Sequence, residues 1–180
     1  MSSPLVEKWQ DVRHGAAEGP RGQESAALMR ITAKADYAVR AVAELAAAEP
    51  GVPVKGEILA TAQHIPLNFL ENILRELRRA GIIRTQRGAE GGYLLALPAK
   101  DVSVADVIRA VEGPLAAVQG VRPDQLHYEG HAAALADVWV AMRANLRSVL
   151  ESVSVADIAK NELPKSVQRL VADQHAWENP

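Results

Sequence analysis

The sequence predicts a mainly α-helical protein with one two-stranded β-hairpin and one long apolar helix, and three observations predict it. Aromatic residues make up only 4% of the 180 residues while alanine is abundant, which suits close-packed helices better than a β-sandwich. Apolar residues recur at spacings of three and four in successive segments, the signature of amphipathic helices. A glycine-dense stretch, Gly88-Ala89-Glu90-Gly91-Gly92, separates two short apolar runs, the signature of a hairpin.

Residues 1–28 read as an N-terminal extension. Gly15, Gly19, Pro20 and Gly22 interrupt any helix, and no apolar period develops. A second methionine, Met29, precedes the first strongly patterned segment, and the folded part is expected to begin there. A first helix is expected over 32–48, with Thr32 as N-cap and Tyr37, Ala41, Leu45 and Ala48 on one face. Pro50-Gly51 ends it. A short helix over 55–63 follows, with Ile58, Leu59 and Ala62 expected inward.

His64-Ile65-Pro66 turns the chain into a third helix over 67–80. Leu67, Leu70, Ile73, Leu74 and Leu77 form its inward stripe, while Asn68, Glu71, Asn72, Arg75 and Arg79 face out. Gly81 is placed to end it in the left-handed conformation. Residues 82–87 and 93–97 are the hairpin strands, and Pro98 closes the second. Ser103-Val-Ala-Asp106 opens a helix to about residue 111 as a capping box with aspartate in place of glutamate. The same four residues recur at Ser154-Val-Ala-Asp157, read as a second, independent helix start because nothing around the two copies matches.

Residues 113–130 are loop-like, and a long helix is expected over 131–153. Leu135, Trp139, Met142, Leu146, Val149 and Val153 alternate spacings of four and three, a heptad seam held for nearly three repeats. A helix apolar over so much of its surface needs cover on more than one side. A second copy of itself supplies that cover; packing within one chain is the alternative.

Composition excludes several functions. The chain has no cysteine, which removes disulfides, thiolate zinc sites, cysteine nucleophiles and cysteine-held iron–sulfur clusters. No apolar run reaches the ~18 residues of a membrane span, the N-terminus has no secretory signature, and a cytoplasmic location is expected. There is no P-loop, no Gly-x-Ser-x-Gly and no dinucleotide fingerprint, so no enzyme is expected and no cofactor is assigned. The net charge of −2 is unevenly spread: residues 29–100 carry ten Lys/Arg against seven Asp/Glu, residues 101–180 seven against eleven. Five arginines and one glutamate fall between Arg75 and Arg87. A basic middle with an acidic end fits a chain that meets a polyanion with one part; a solvated basic helix face explains the charge equally well.

Helix, helix, turn, helix and hairpin is the order of a winged helix-turn-helix with a two-stranded β wing, here followed by a long dimerisation helix. The third helix offers Asn68, Glu71 and Asn72 on its outer face. Asparagine pairs with adenine edges and glutamate accepts from cytosine. Arg87, beside Gly88 at the tip of a slim wing, has the form of a minor-groove residue, where the DNA field is most negative. Arg30, Lys34 and Arg75 are candidates for phosphate.

The residues Met29-Arg-Ile-Thr-Ala-Lys-Ala-Asp-Tyr-Ala-Val-Arg-Ala41 resemble the N-terminal signature of the Rrf-two family of bacterial transcription factors (IscR/NsrR/CymR-type). The resemblance continues through Ile65-Pro-Leu-Asn-Phe-Leu-Glu-Asn-Ile-Leu-Arg-Glu-Leu-Arg-Arg-Ala-Gly-Ile-Ile83, Arg87-Gly-Ala-Glu-Gly-Gly-Tyr-Leu-Leu95 and Val104-Ala-Asp-Val-Ile-Arg-Ala-Val-Glu-Gly-Pro-Leu115. It covers 29–115 closely and the long helix more loosely. It implies a homodimeric regulator that binds a double-stranded DNA operator, with long helices crossing at the dimer interface, base recognition at Asn68, Glu71 and Asn72, and Arg87 in the minor groove. Many members hold an iron–sulfur cluster on three cysteines after the Gly-Pro-Leu segment, some with an acidic ligand at the position of Asp36. The loop here has no cysteine, so the resemblance is to cluster-free members, which answer to a small-molecule or protein effector. Asp36 is then expected to cap or pair locally.

The domain plan is therefore an extension at 1–28, a winged-helix domain at 29–100, and a dimerisation helix with C-terminal region at 101–180. The function expected is transcription regulation, as a repressor. A winged helix used for protein–protein assembly is the alternative; Arg75, Arg78 and Arg79 count against it. A metal-dependent enzyme on His127 and His131, from His127-Tyr-Glu-Gly-His131, is weaker still because Gly130 disfavours the helix that would align them.

Overall fold

The computed structural model describes residues 31–118 and 120–178. The extension expected at 1–28, and Arg30, lie outside the described residues.

Helix α1 (Ala33–Ala47) starts where the Thr32 side chain accepts from the Ala35 N–H at 3.0 Å. Its inward face is small, Ala35, Ala38 and Ala41 with Val42 and Leu45, so neighbouring helices approach closely. Helix α2 (Gly56–Gln63) ends at His64, which takes the left-handed conformation (φ 53°) and bonds its N–H back into the last turn. Ile65 is buried just beyond it, and Pro66 opens helix α3 (Leu67–Arg79). In α2 the inward residues are Leu59 and Ala60; Ile58 and Ala62, expected inward, are exposed. A helix this short, covered along one narrow line, cannot bury both flanks of its apolar set.

Gly81 follows α3 in the left-handed region (φ 76°), as its place in the sequence requires. Strands β1 (Ile83–Gln86) and β2 (Gly92–Leu95) pair antiparallel with Ile83 opposite Leu95 and Thr85 opposite Tyr93. They are shorter than expected at both outer ends. Val54, just before α2, adds a bridge to the far side of β2 through two hydrogen bonds with Tyr93 at 2.8 and 2.9 Å.

Helix α4 (Val104–Glu112) and helix α6 (Val155–Lys160) each begin with a complete capping box, Ser103 with Asp106 and Ser154 with Asp157. The two boxes lie side by side: Val104 donates to the Val153 carbonyl and Val155 to the Val102 carbonyl. Between them runs helix α5 (Leu135–Leu150), and helix α7 (Lys165–Val171) follows α6. Helix α5 is shorter than the 131–153 expected. Gly130, at φ 60°, opens a separate 3-10 turn (Gly130–Ala132), and a turn at Glu151 and Ser152 frees the chain for the second capping box.

The main core joins α1, α2 and α3 through Leu59, Leu70, Leu74 and Leu77. Val102, Val107, Val111 and Val155 belong to the same cluster, so the core crosses the boundary expected at residue 100. A second cluster gathers Ala35, Ala105, Leu115, Val153 and Val167. Val153, expected on the heptad seam, is therefore buried in the chain's own core, beyond the end of α5. No helix among the described residues is long and apolar enough to cross a membrane.

Candidate nucleic-acid interface

Helix α3 is held from behind and open in front. Leu70, Leu74 and Leu77 are fully buried, and the Phe69 ring meets Tyr37 of α1 edge to face at 5.8 Å. Arg40 of α1 ties the end of α2 in place. Its Nε donates to Gln63 Oε1 at 2.9 Å, a terminal nitrogen donates to the Gln63 carbonyl, and its guanidinium lies over the Tyr37 ring. The α2–turn–α3 unit is thus fixed against α1 by packing and by a charged clamp.

Asn68, Glu71, Asn72 and Arg75 lie in the i, i+3, i+4, i+7 order of one helix face, and all four are exposed. The side chains of Asn72 and Arg75 are already bonded along this face. Arg75 donates from Nη2 to the Asn72 side-chain oxygen and from Nε to the Glu71 carbonyl at 3.4 Å; Asn72 Nδ2 donates to the Asn68 carbonyl at 3.2 Å. Arg78 and Arg79, in the last turn, are exposed beside this stripe, where they also favour the helix C-terminus.

The wing is glycine-thin for identifiable reasons. A Cβ on Gly91 would stand 2.4 Å from the Gln86 carbonyl oxygen, and one on Gly92 would stand 2.5 Å from that of Val54. Gly88 sits at φ 112°, and its carbonyl accepts from Gly91 at 2.9 Å to close the turn. Arg87 is exposed at this tip and, among the described residues, makes no ion pair.

Lys34 departs from its expected role. Its ammonium donates to the Val111 carbonyl at 2.6 Å and pairs with Glu76 of α3 at 2.8 Å, so it joins α1, α3 and the C-terminus of α4 instead of standing free for phosphate. The sequence shows Lys34 beside Asp36 but cannot show that the end of α4 arrives above it. Asp36 pairs with Arg40 one turn on, at 3.0 Å.

Helix α5 has no buried residue. Leu135, Trp139, Met142 and Val149 are half-buried, Leu146 is exposed, and Val138 and Val140 are more exposed still. Its last turn is held to α4 by Arg109, which bonds Asp106 at 3.3 Å and also Glu151; Arg147 bonds the same Glu151 at 2.9 Å. The Arg147 and Arg109 guanidiniums hold the Glu151 carboxyl below the ordinary range. Sequence reasoning missed this junction, although the repeated Ser-Val-Ala-Asp was its visible trace.

The loop between α4 and α5 is pinned by Asp124, which pairs with Arg122 at 2.6 Å and with Arg143 of α5 at 3.1 Å. His131 is exposed and His127 lies in the same loop, and no group of three or more His, Cys, Asp or Glu side chains able to hold a metal ion comes together among the described residues.

Residues 31–161 match the family model described as Rrf2, an iron-dependent transcriptional regulator. An HTH-type transcriptional regulator of Mycobacterium tuberculosis is 49% identical over 151 residues, spanning 84% of this chain and 94% of the relative. The HTH-type regulator CymR of Bacillus subtilis is 28% identical over 73% of this chain and 90% of the relative. Among solved structures, CymR, the global cysteine regulator of B. subtilis, superposes with TM-score 0.64 at 27% identity over 74% of this chain and 98% of that one. IscR of T. potens superposes with TM-score 0.61 at 28% identity, over 83% of this chain and 96% of that one. The iron in the family's description does not fit this donor set: a chain without cysteine has no thiolate for an iron–sulfur cluster, and among the described residues its histidines gather no third ligand. A winged helix-turn-helix whose polar stripe faces outward, with these relatives over most of its length, makes the chain a cysteine-free member of the Rrf2 family of transcriptional regulators.

Proposed function

We propose that the chain is a homodimeric, cytoplasmic repressor that binds a specific double-stranded DNA operator, without enzymatic activity and without a cluster. The observation that carries this reading is the outer face of α3. Its polar side chains stand in register opposite a fully buried leucine stripe, and a glycine-thin wing carries Arg87 clear of the body. In this reading the outer face of α3, with Asn68, Glu71, Asn72 and Arg75, enters the major groove, and Arg87 enters the adjacent minor groove. Arg78 and Arg79 supply phosphate contacts in place of Lys34. The apolar face of α5, with Leu146 exposed and Trp139 and Met142 half-buried, packs on its copy in the second protomer, so the operator is a two-fold site with half-sites about 10 base pairs or a multiple apart. A small molecule or partner protein sets occupancy.

The test is selection of bound duplexes from a random library with the full chain, followed by footprinting of the enriched site. A dyad-symmetric sequence protected over both half-sites is expected, and an operator–reporter fusion is expected to rise when the gene is deleted. No enrichment above random DNA would overturn the reading in favour of a protein-assembly module.

A further inference from the structure

The geometry points to Arg75 as a base-reading residue for a guanine, with Asn72 as its positioning residue; this rests on α3 being the DNA-reading helix. The two side chains otherwise invite the opposite assignment, with the asparagine on an adenine and the arginine on a phosphate. Their bonding argues against it. A guanidinium has only donors, so its contact fixes which end of the Asn72 amide faces it, namely Oδ1. The other end, Nδ2, donates to the Asn68 carbonyl at 3.2 Å. Asn72 therefore has both ends of its amide engaged along the helix, and turning its paired donor and acceptor to an adenine edge would compete with both bonds.

Arg75 is left in the complementary condition. Its Nε is directed to the Glu71 carbonyl at 3.4 Å and its Nη2 to Asn72, which lays the guanidinium along the stripe between the residues that face the bases. Each Nη nitrogen retains an N–H. Two parallel N–H groups held in a fork match O6 and N7 of guanine. Holding the fork before DNA arrives lowers the ordering cost of a long side chain on binding. A phosphate contact needs none of this, because a flexible cation serves, and Arg78 and Arg79 at the end of α3 are exposed for it. Among the described residues no carboxylate draws Arg75 off the stripe.

The experiment uses full-length protein and the duplex selected from a random library. Affinities are measured for that duplex, for every single-base variant and for random DNA, with Arg75→Ala, Arg75→Lys, Asn72→Ala, Asn72→Asp and the double alanine variant. Arg75→Ala is expected to lose discrimination at one G·C pair per half-site by about 5- to 150-fold. Arg75→Lys is expected to lose much of it too, since an ammonium has no fork. Asn72→Ala should weaken discrimination at the same pair, and the double variant should be no worse than Arg75→Ala. Asn72→Asp is the rescue: a carboxylate still accepts from Arg75, so the ratio at that pair should return even if total affinity falls. The inference is overturned if Arg75→Lys keeps the preference and Arg75→Ala weakens all sequences alike. It is also overturned if Asn72→Ala relaxes a different, A·T pair that Asn72→Asp does not restore. Absence of any selected sequence with the unaltered protein would overturn the DNA-reading assignment itself, a result distinct from both.

Discussion

Replacing Leu146 tests the proposed seam of α5 without touching the protomer's core. Leu146 remains 37% exposed and α5 has no buried residue, so a polar side chain there is not expected to unfold the chain. Full burial of a leucine is worth about 1.5–3 kcal/mol, so covering the remaining third contributes about 0.5–1 kcal/mol per protomer and about 1–2 kcal/mol per dimer. Leu146→Ala should then weaken the dimer by roughly tenfold, at about 1.4 kcal/mol per decade. Leu146→Glu adds two carboxylates to an apolar seam, each costing several kcal/mol when dehydrated, and the dimer should dissociate at micromolar concentration. Sedimentation equilibrium reads the mass, and far-ultraviolet circular dichroism reports whether the helices survive. A monomer with intact helical signal is expected. A Leu146→Glu protein that stays dimeric at the wild-type dissociation constant would refute this seam.

Three further outcomes follow from the same geometry. Protein purified without oxygen should be colourless and hold no stoichiometric iron or sulfide, since no thiolate is present to ligate a cluster; metal and sulfide analysis checks it. Gly92→Ala should cost about 1–3 kcal/mol, read by thermal unfolding, and should weaken operator binding, because its Cβ meets the Val54 carbonyl oxygen at 2.5 Å and forces β2 away from the Val54 bridge. The Ser154 side chain and backbone N–H hold the Asp157 carboxyl below its ordinary value of 3.8, so this cap stabilises the fold above about pH 4 and its contribution disappears as pH falls through the lowered value. Asp157→Asn should flatten that part of the acid-unfolding curve, measured by fluorescence between about pH 2 and 6, roughly two units either side of the ordinary carboxylate value.

The parts of the fold legible in the sequence were those written by local rules. Thr32, both capping boxes, Gly81 and, in the wing, Gly88 each signal a backbone geometry within a few residues, and each adopts it. The α3 stripe was legible because a helix with buried leucines on one side must expose the other. What was not legible depended on distant chain. Lys34 meets Glu76 and Val111 only once α4 has packed, and Val54 pairs with Tyr93 across a long stretch of sequence that includes α2 and α3. The heptad pattern ran on to Val153 because spacing alone carries no stop signal; the helix ends earlier, so that the second capping box can lie against the first. On the outer face of α3 the sequence showed which side chains point away from the leucines but not that Arg75 bonds Asn72.

The measurement that tests DNA reading by α3 and the wing most directly compares Glu71→Ala with Arg87→Ala on the selected operator, its single-base variants and random DNA at several salt concentrations. Glu71 is a carboxylate facing an anionic groove, so it selects more than it attracts. Its removal should relax one base pair per half-site by about 1–3 kcal/mol while non-specific affinity holds or rises. Arg87→Ala should weaken every sequence, most on sites with narrow A·T-rich minor grooves, and should flatten the log–log salt slope by about 0.9 for each phosphate charge no longer neutralised. An unchanged operator preference in Glu71→Ala, together with unchanged affinity and salt slope in Arg87→Ala, would contradict it.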